Sequence, residues 1–257
     1  MSNLQKLRQI LDRLRSEDGC PWDKEQTHKS LKRNLIEESY ELLEAIDEEN
    51  TEDMREELGD VLLQVFFHAQ IAKEADKFDI EDVAGEISEK LIRRHPHVFG
   101  DENIDNSEEV LQRWEEIKKK EKKATRKSVL DGVVYSQPAL MCAQQISKKA
   151  VKVGFEWPNY EMLKECFTSE IEEFHKEVEE KNHDAMEDEF GDILFALVNI
   201  ARWHKIDAEQ ALRRANKKFV KRFKEMEKLA QKPLEEYNFE EYDDLWKKAK
   251  ESIRGKF

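Results

Sequence analysis

Four acidic side chains recur at one spacing in both halves of the chain. Glu38, Glu41, Glu57 and Asp60 reappear 132 positions later as Glu170, Glu173, Glu189 and Asp192. Each copy reads ExxE, then a gap, then ExxD with glycine (Gly59, Gly191) just before the aspartate. Residues three apart on a helix share a face, so each pair projects both acids to one side. Two such helices side by side gather four carboxylates around one point. Carboxylates collected in that way call for a cation, and hard oxygen ligands select Mg²⁺, Mn²⁺ or Ca²⁺.

Other residues travel with the acids. Leu31-Lys32 is repeated as Leu163-Lys164. Both ExxD pairs run into apolar stretches, Val61–Phe67 and Ile193–Val198, within which Phe66, Phe67, Phe195 and Leu197 are expected in the core. An acid at the mouth of such a stretch lies against a core, where an unpaired charge is costly. Two basic pairs follow the acids at i,i+4, Lys90/Arg94 and Lys218/Arg222, and after them Trp114/Lys118 and Trp246/Lys250. Carboxylates with a cation, then bases and an indole, describe a site for a polyphosphate carrying a ring.

Sparse glycine and proline (8 and 5) and 40% charged residues suit helices and argue against sheets, so the fold class is expected to be all-α. Apolar spacing and breakers place helices at about 3–15, 27–47, 51–75, 80–94 and up to 123 in the first half. The second half repeats the plan at about 138–151, 160–180, 183–204, 207–230 and 240–252. Each acid quartet then sits on an αα-hairpin. Basic residues around 118–128, with Asp131-Gly132 and Pro138 beyond them, suggest an N-terminal repeat at 1–118, a linker at 119–137 and a C-terminal repeat at 138–257.

A net charge of −14 disfavours nucleic acid and anionic membranes as partners. Cys20, Cys142 and Cys166 form no CxxC pair, which points away from a disulfide framework or a zinc site. With no signal peptide or long apolar span visible, the expected location is cytoplasmic.

The acids resemble the EExxE…ExxD motif of the MazG family of nucleoside triphosphate pyrophosphohydrolases, in the all-α NTP pyrophosphatase superfamily. Glu37-Glu38-Ser39-Tyr40-Glu41 and Glu57-Leu58-Gly59-Asp60 match it in full. The likeness extends through Gly19–Asp23, Gln26-Thr27-His28, Arg93–Phe99 and Val153–Pro158. It implies two tandem all-α repeats whose helical bundles are completed in a homodimer. It implies Mg²⁺-dependent hydrolysis of NTPs and dNTPs between the α- and β-phosphates, giving NMP and pyrophosphate, with Mn²⁺ as a substitute. By the same likeness Glu170, Glu173, Glu189 and Asp192 are metal-binding and catalytic, and Lys218, Arg222, Trp246 and Lys250 contact substrate. Their first-half equivalents are Glu38, Glu41, Glu57 and Asp60 for metal, with Glu37, Lys90, Arg94, Trp114 and Lys118 around them. The second copy departs from the motif at Ser169, where the leading glutamate is lost. The C-terminal copy is nevertheless the expected catalyst, because Lys218, Arg222 and Trp246 most resemble the family's substrate clamp.

Plainer readings stand beside this one. Trp114 and Trp246 can be core or interface anchors. His28 and His68 read as packing or capping residues, and His95 and His97 as turn residues. Two other function classes fit parts of the sequence. A non-catalytic helical interaction protein could use one copy as a dimerisation scaffold. A di-iron carboxylate bundle could use Glu172/His175 and Glu180/His183, but needs its ExxH motifs on two different helices.

Overall fold

The computed structural model describes residues 1–122 and 127–254, and among these residues every regular element is a helix. The chain divides into two compact units, Met1–Ala124 and Thr125–Phe257. Residues 123–126, part of the expected linker, lie outside the described residues. Residues 127–137 form turns. There Asp131 Oδ2 accepts the backbone N–H groups of Lys127 and Ser128, and Lys149 Nζ donates to the Asp131 carbonyl at 2.7 Å.

In the first unit, α1 (Asn3–Leu14) opens with a capping box, in which Ser2 and Gln5 satisfy each other's backbone N–H. Two short helices, α2 (Pro21–Glu25) and α6 (Pro96–Phe99), start at prolines and flank the hairpin region. The hairpin itself is α3 (Lys32–Asp47) and α4 (Thr51–Glu74); α5 (Ile80–Arg94) and α7 (Ser107–Lys122) come after it. Helix α3 starts at Lys32, five residues later than the expected 27. The cause is local: Thr27 and Ser30 exchange side-chain bonds with each other's backbone N–H (2.9 and 3.1 Å), closing a turn before the helix. Leu11 of α1 and Leu31 pack with Phe66 and Phe67 of α4 to make this unit's core.

The second unit comprises α8 (Ala139–Val151), the hairpin α9 (Tyr160–Glu180) and α10 (His183–Trp203), then α11 (Ala208–Leu229) and α12 (Phe239–Ser252). A second small core joins α11 and α12 through Met226, Leu245 and Ala249, with Trp246 packed against it.

The two hairpins turn in the same way, residue for residue. Glu49 (φ 54°) and Lys181 (φ 56°) take the left-handed conformation after their helices. The next residues, Asn50 and Asn182, send their N–H groups back to the carbonyls of Ala45 and Glu177 (3.1 and 3.2 Å). That is the Schellman pattern of helix ends. Both asparagine side chains then cap the following helix. The turn fixes which acids meet. At 1.5 Å per residue, Glu41 lies about 13 Å before Asn50 and Glu57 about 10 Å after it, so the two come level. The same count applies to Glu173 and Glu189 around Asn182.

Each hairpin buries one face within its unit and leaves another apolar face open. Phe66 and Phe67 are buried as expected, but Phe195 and Leu197 are exposed. The residues of α10 that turn inward within the unit are Ala196, Val198 and Asn199. The open faces carry Ile36, Leu58 and Val65 in one unit and Val178, Phe190 and Leu194 in the other.

Candidate functional site

In each unit three of the four repeated acids converge. Carboxylate oxygens of Glu38, Glu41 and Glu57 all lie within 4.8 Å of one another, and so do those of Glu170, Glu173 and Glu189. Asp60 and Asp192 stand outside these sets but act on them through charge. Burial pushes the Glu57 carboxyl above its usual range, and the charges of Glu41 and Asp60 add to the shift. Glu38 is raised by burial, then by Asp60, Glu41 and Glu57. In the second unit Glu189 is raised by burial, then by Glu173, Asp192 and Glu170. The hairpin therefore holds like charges together at a cost that positive charge would relieve.

The residues fit a divalent cation on a further ground. Glu57 Oε2 is buried without a hydrogen-bond partner, an uncommon condition for a carboxylate oxygen and one that a coordinated ion would remove. Gly59 and Gly191 have open space where a side chain would begin, directly beside the aspartates.

The immediate surroundings differ between copies. Glu37, the leading acid of the first motif, is bound by Arg33 Nε at 2.7 Å and is absent from the three-acid set. Its counterpart Ser169 donates its hydroxyl to Glu173 Oε1 at 2.8 Å, so the substitution places a donor on a cluster carboxylate. The Cys166 thiol sits 3.7 Å from Glu170 Oε1; burial and the charge of Glu170 push its pKa up. Spacing alone (i,i+4) could have shown that contact, which the sequence reading passed over.

The basic residues form a second group on later helices. In the second unit Lys218 and Lys250 are exposed and make no ion pair among the described residues, while Arg222 Nε is buried without a partner. Trp246 is half-buried, its ring 5.2 Å from that of Phe219. It packs against the small core of α11 and α12. In the first unit the equivalents are engaged. Lys90 pairs with Glu86 at 3.7 Å, Lys118 with Glu115 at 3.7 Å, and Trp114 lies 6.3 Å from the His95 ring. Arg94 gives Nε and Nη2 to Glu121 Oε2 (3.1 and 2.6 Å), and Arg93 Nε binds the other Glu121 oxygen at 2.7 Å. Sequence reading missed Glu121, since nothing in a Lys/Glu-rich stretch distinguishes one acid from its neighbours.

The histidines agree with the plainer reading in part. His28 and His68 stack with Nδ1 atoms 2.8 Å apart, pinning the turn before α3 onto α4. His95 ends α5, its Nδ1 2.7 Å from the Leu91 carbonyl oxygen.

Helical hairpins that each draw three glutamates together, twice in one chain, define a duplicated carboxylate-cluster protein of the all-α class. The family model for the MazG nucleotide pyrophosphohydrolase domain matches residues 26–99 and 159–226, more than half of the chain, and takes in both acid quartets and both Lys/Arg pairs. Trp114, Lys118, Trp246 and Lys250 fall outside those matches. Among relatives, the nucleoside triphosphate pyrophosphohydrolase/pyrophosphatase MazG of Thermotoga maritima is 50% identical over 249 residues, covering 96% of this chain and 95% of that protein. The nucleoside triphosphate pyrophosphohydrolase of Escherichia coli K12 is 44% identical over 257 residues, 97% of this chain and 98% of its own. The uncharacterized protein YabN of Bacillus subtilis is 51% identical over 251 residues, yet this chain spans only 51% of its length. The chain belongs to the MazG family.

Proposed function

We propose that the chain is a nucleoside triphosphate pyrophosphohydrolase, cleaving NTPs and dNTPs between the α- and β-phosphates to release NMP and pyrophosphate. The observation that carries this reading is the pair of three-glutamate clusters held by identically turned hairpins inside the family-matched segments. Glu170, Glu173, Glu189 and Asp192 would hold Mg²⁺, or Mn²⁺ in its place, and Glu38, Glu41, Glu57 and Asp60 are the equivalent set. The bound cation supplies Lewis acidity toward phosphate oxygens and water.

The protein's own groups do the rest. A cluster carboxylate takes the proton of the attacking water. Lys218 and Arg222 neutralise the phosphates, Arg222 through a guanidinium that can grip two oxygens at once. Lys250 adds charge beside them, and Trp246, half-buried against the α11/α12 core, is the stacking partner for the base. The C-terminal copy is the principal site, because its arginine and lysines are not committed to acids within the unit.

The protein works as a homodimer of two-repeat chains (1–118 and 138–257, joined by 119–137). This is supported by the open apolar faces of both hairpins, with Leu58 and Phe190 each about half exposed (both 51%). A cytoplasmic setting agrees with three free thiols. No helix among the described residues is long and apolar enough to cross a membrane.

The interaction-protein reading has one observation in its favour, the engaged basic residues of the first unit, and it applies to that copy alone. The di-iron reading lacks its ligand set: Glu172 and His175 lie on α9, Glu180 ends that helix and His183 begins α10, and none of these four residues belongs to a three-acid set. Product analysis with an NTP panel and Mg²⁺ tests the proposal. NMP with pyrophosphate is the expected outcome; NDP with orthophosphate would reject it.

A further inference from the structure

The same two helices carry the basic group in each unit, yet one group is closed by an acid and the other is not. In the first unit the Glu121 carboxylate on α7 takes three donor bonds from Arg93 and Arg94 on α5. The Arg94 side chain is 13% exposed and that of Glu121 21%, so the contact is largely withdrawn from water, where such pairs are stronger than at an open surface. Hydrogen bonds from Arg94, then Arg93, pull the Glu121 carboxyl down to about 2, so it is ionised at neutral pH.

In the second unit the register that takes Trp114 and Lys118 to Trp246 and Lys250 takes Glu121 to Ile253. An aliphatic side chain can bind no guanidinium, and Arg222, the equivalent of Arg94, has its Nε buried and unpartnered. Glu86, which pairs with Lys90, becomes Arg214 in the register that takes Lys90 to Lys218. Both acids that hold the first clamp are therefore missing from the second.

Two guanidinium donors meeting one carboxylate oxygen, with a second arginine on its other oxygen, is also how arginines meet a phosphate. We propose that Glu121 is an internal phosphate surrogate that latches the N-terminal anion site, so that a polyphosphate enters this copy only by displacing the carboxylate from Arg94. The idea rests on the reading of Lys90 and Arg94 as phosphate-binding residues. It makes the two copies unequal in a definite direction. The C-terminal copy fills first, and the N-terminal copy fills only at higher polyphosphate concentration, its apparent affinity scaled by the small fraction of time the latch is open.

The test uses the full chain and inorganic tripolyphosphate with Mg²⁺, a probe with no nucleoside and no need for turnover. Lys218→Ala/Arg222→Ala removes the second clamp, and calorimetry then reads the first. Adding Glu121→Gln should tighten tripolyphosphate binding by roughly tenfold or more, and adding Arg94→Ala should erase the gain. Unchanged affinity, or tightening that survives Arg94→Ala, overturns the latch. A second measurement leaves Glu121 intact and guards against a variant that fails to fold. Saturating tripolyphosphate should speed amide hydrogen exchange in the last turn of α7, because its tether to α5 is released. Slower or unchanged exchange there also overturns the proposal. NTP hydrolysis by the unmodified protein is scored separately. Its absence would sink the proposed function while leaving this binding result readable.

Discussion

The two units share a hairpin and differ in what surrounds it. Around Asn50 and Asn182 the turn, the capping and the level of the acids are the same, and three glutamate carboxylates converge in each. Around those carboxylates the copies part. The first keeps Glu37 but ties it to Arg33, and leaves Glu57 Oε2 buried and unpaired. The second replaces that acid by Ser169, which donates to Glu173, and sets the Cys166 thiol against Glu170. On the basic side the contrast reverses, with Arg94 captured and Arg222 unpartnered. The lesson is that the cation-holding half of the proposed site depends on local helix geometry and survives duplication. The phosphate-holding half depends on neighbours contributed by a later helix and is free to diverge.

The largest expected effect separates the copies directly. Asp192→Asn or Glu189→Gln should lower NMP release by about a thousandfold, while Asp60→Asn leaves most of it. Full activity in Asp192→Asn with loss in Asp60→Asn would transfer catalysis to the first unit. Next comes the clamp. Lys218→Ala or Arg222→Ala should raise KM by about ten- to a hundredfold with a smaller change in kcat, and Arg94→Ala should change KM little at low substrate. A KM effect of Arg94→Ala matching that of Arg222→Ala would erase the distinction between copies.

A third prediction concerns the cation. Carboxyls raised on folding favour the protonated folded state, so their contribution is full below the unfolded value and is lost as pH rises through the folded one. At neutral pH the clusters therefore oppose folding, and millimolar Mg²⁺ should raise Tm by several degrees. That rise should shrink as pH falls toward the ordinary glutamate range. An unchanged melting curve at neutral pH would remove the metal from the argument. The smallest effect is expected at Ser169→Ala, which frees Glu173 of its donor and should alter kcat/KM by only a few-fold, with no counterpart in Glu37→Ala.

Much of the fold could be read from the chain because its signals are local. Helix α9 runs over the expected 160–180, and α5 over the expected 80–94. In the structure Asn50, Asn182 and Asp79 cap the helices that follow them, through bonds made within three residues. The late start of α3 escaped because Thr27 and Ser30 suit a helix N-terminus as well as a turn, and only their bonds to each other's backbone decide between the two. Phe195 and Leu197 were misplaced because an apolar run shows that burial is wanted but not which neighbour supplies it.

By itself the amino-acid sequence determined the helical class, the duplication and the common face of each acid pair, since a 3.6-residue period and a capped turn act over a few residues. Tertiary structure alone decided that Asp60 and Asp192 stand outside the close sets, and that Glu57 keeps a buried, unpaired oxygen. It also decided that Glu121, 27 residues beyond Arg94, closes on it. Those outcomes depend on which helices pack together, and electrostatic partners are chosen by the distances that packing leaves.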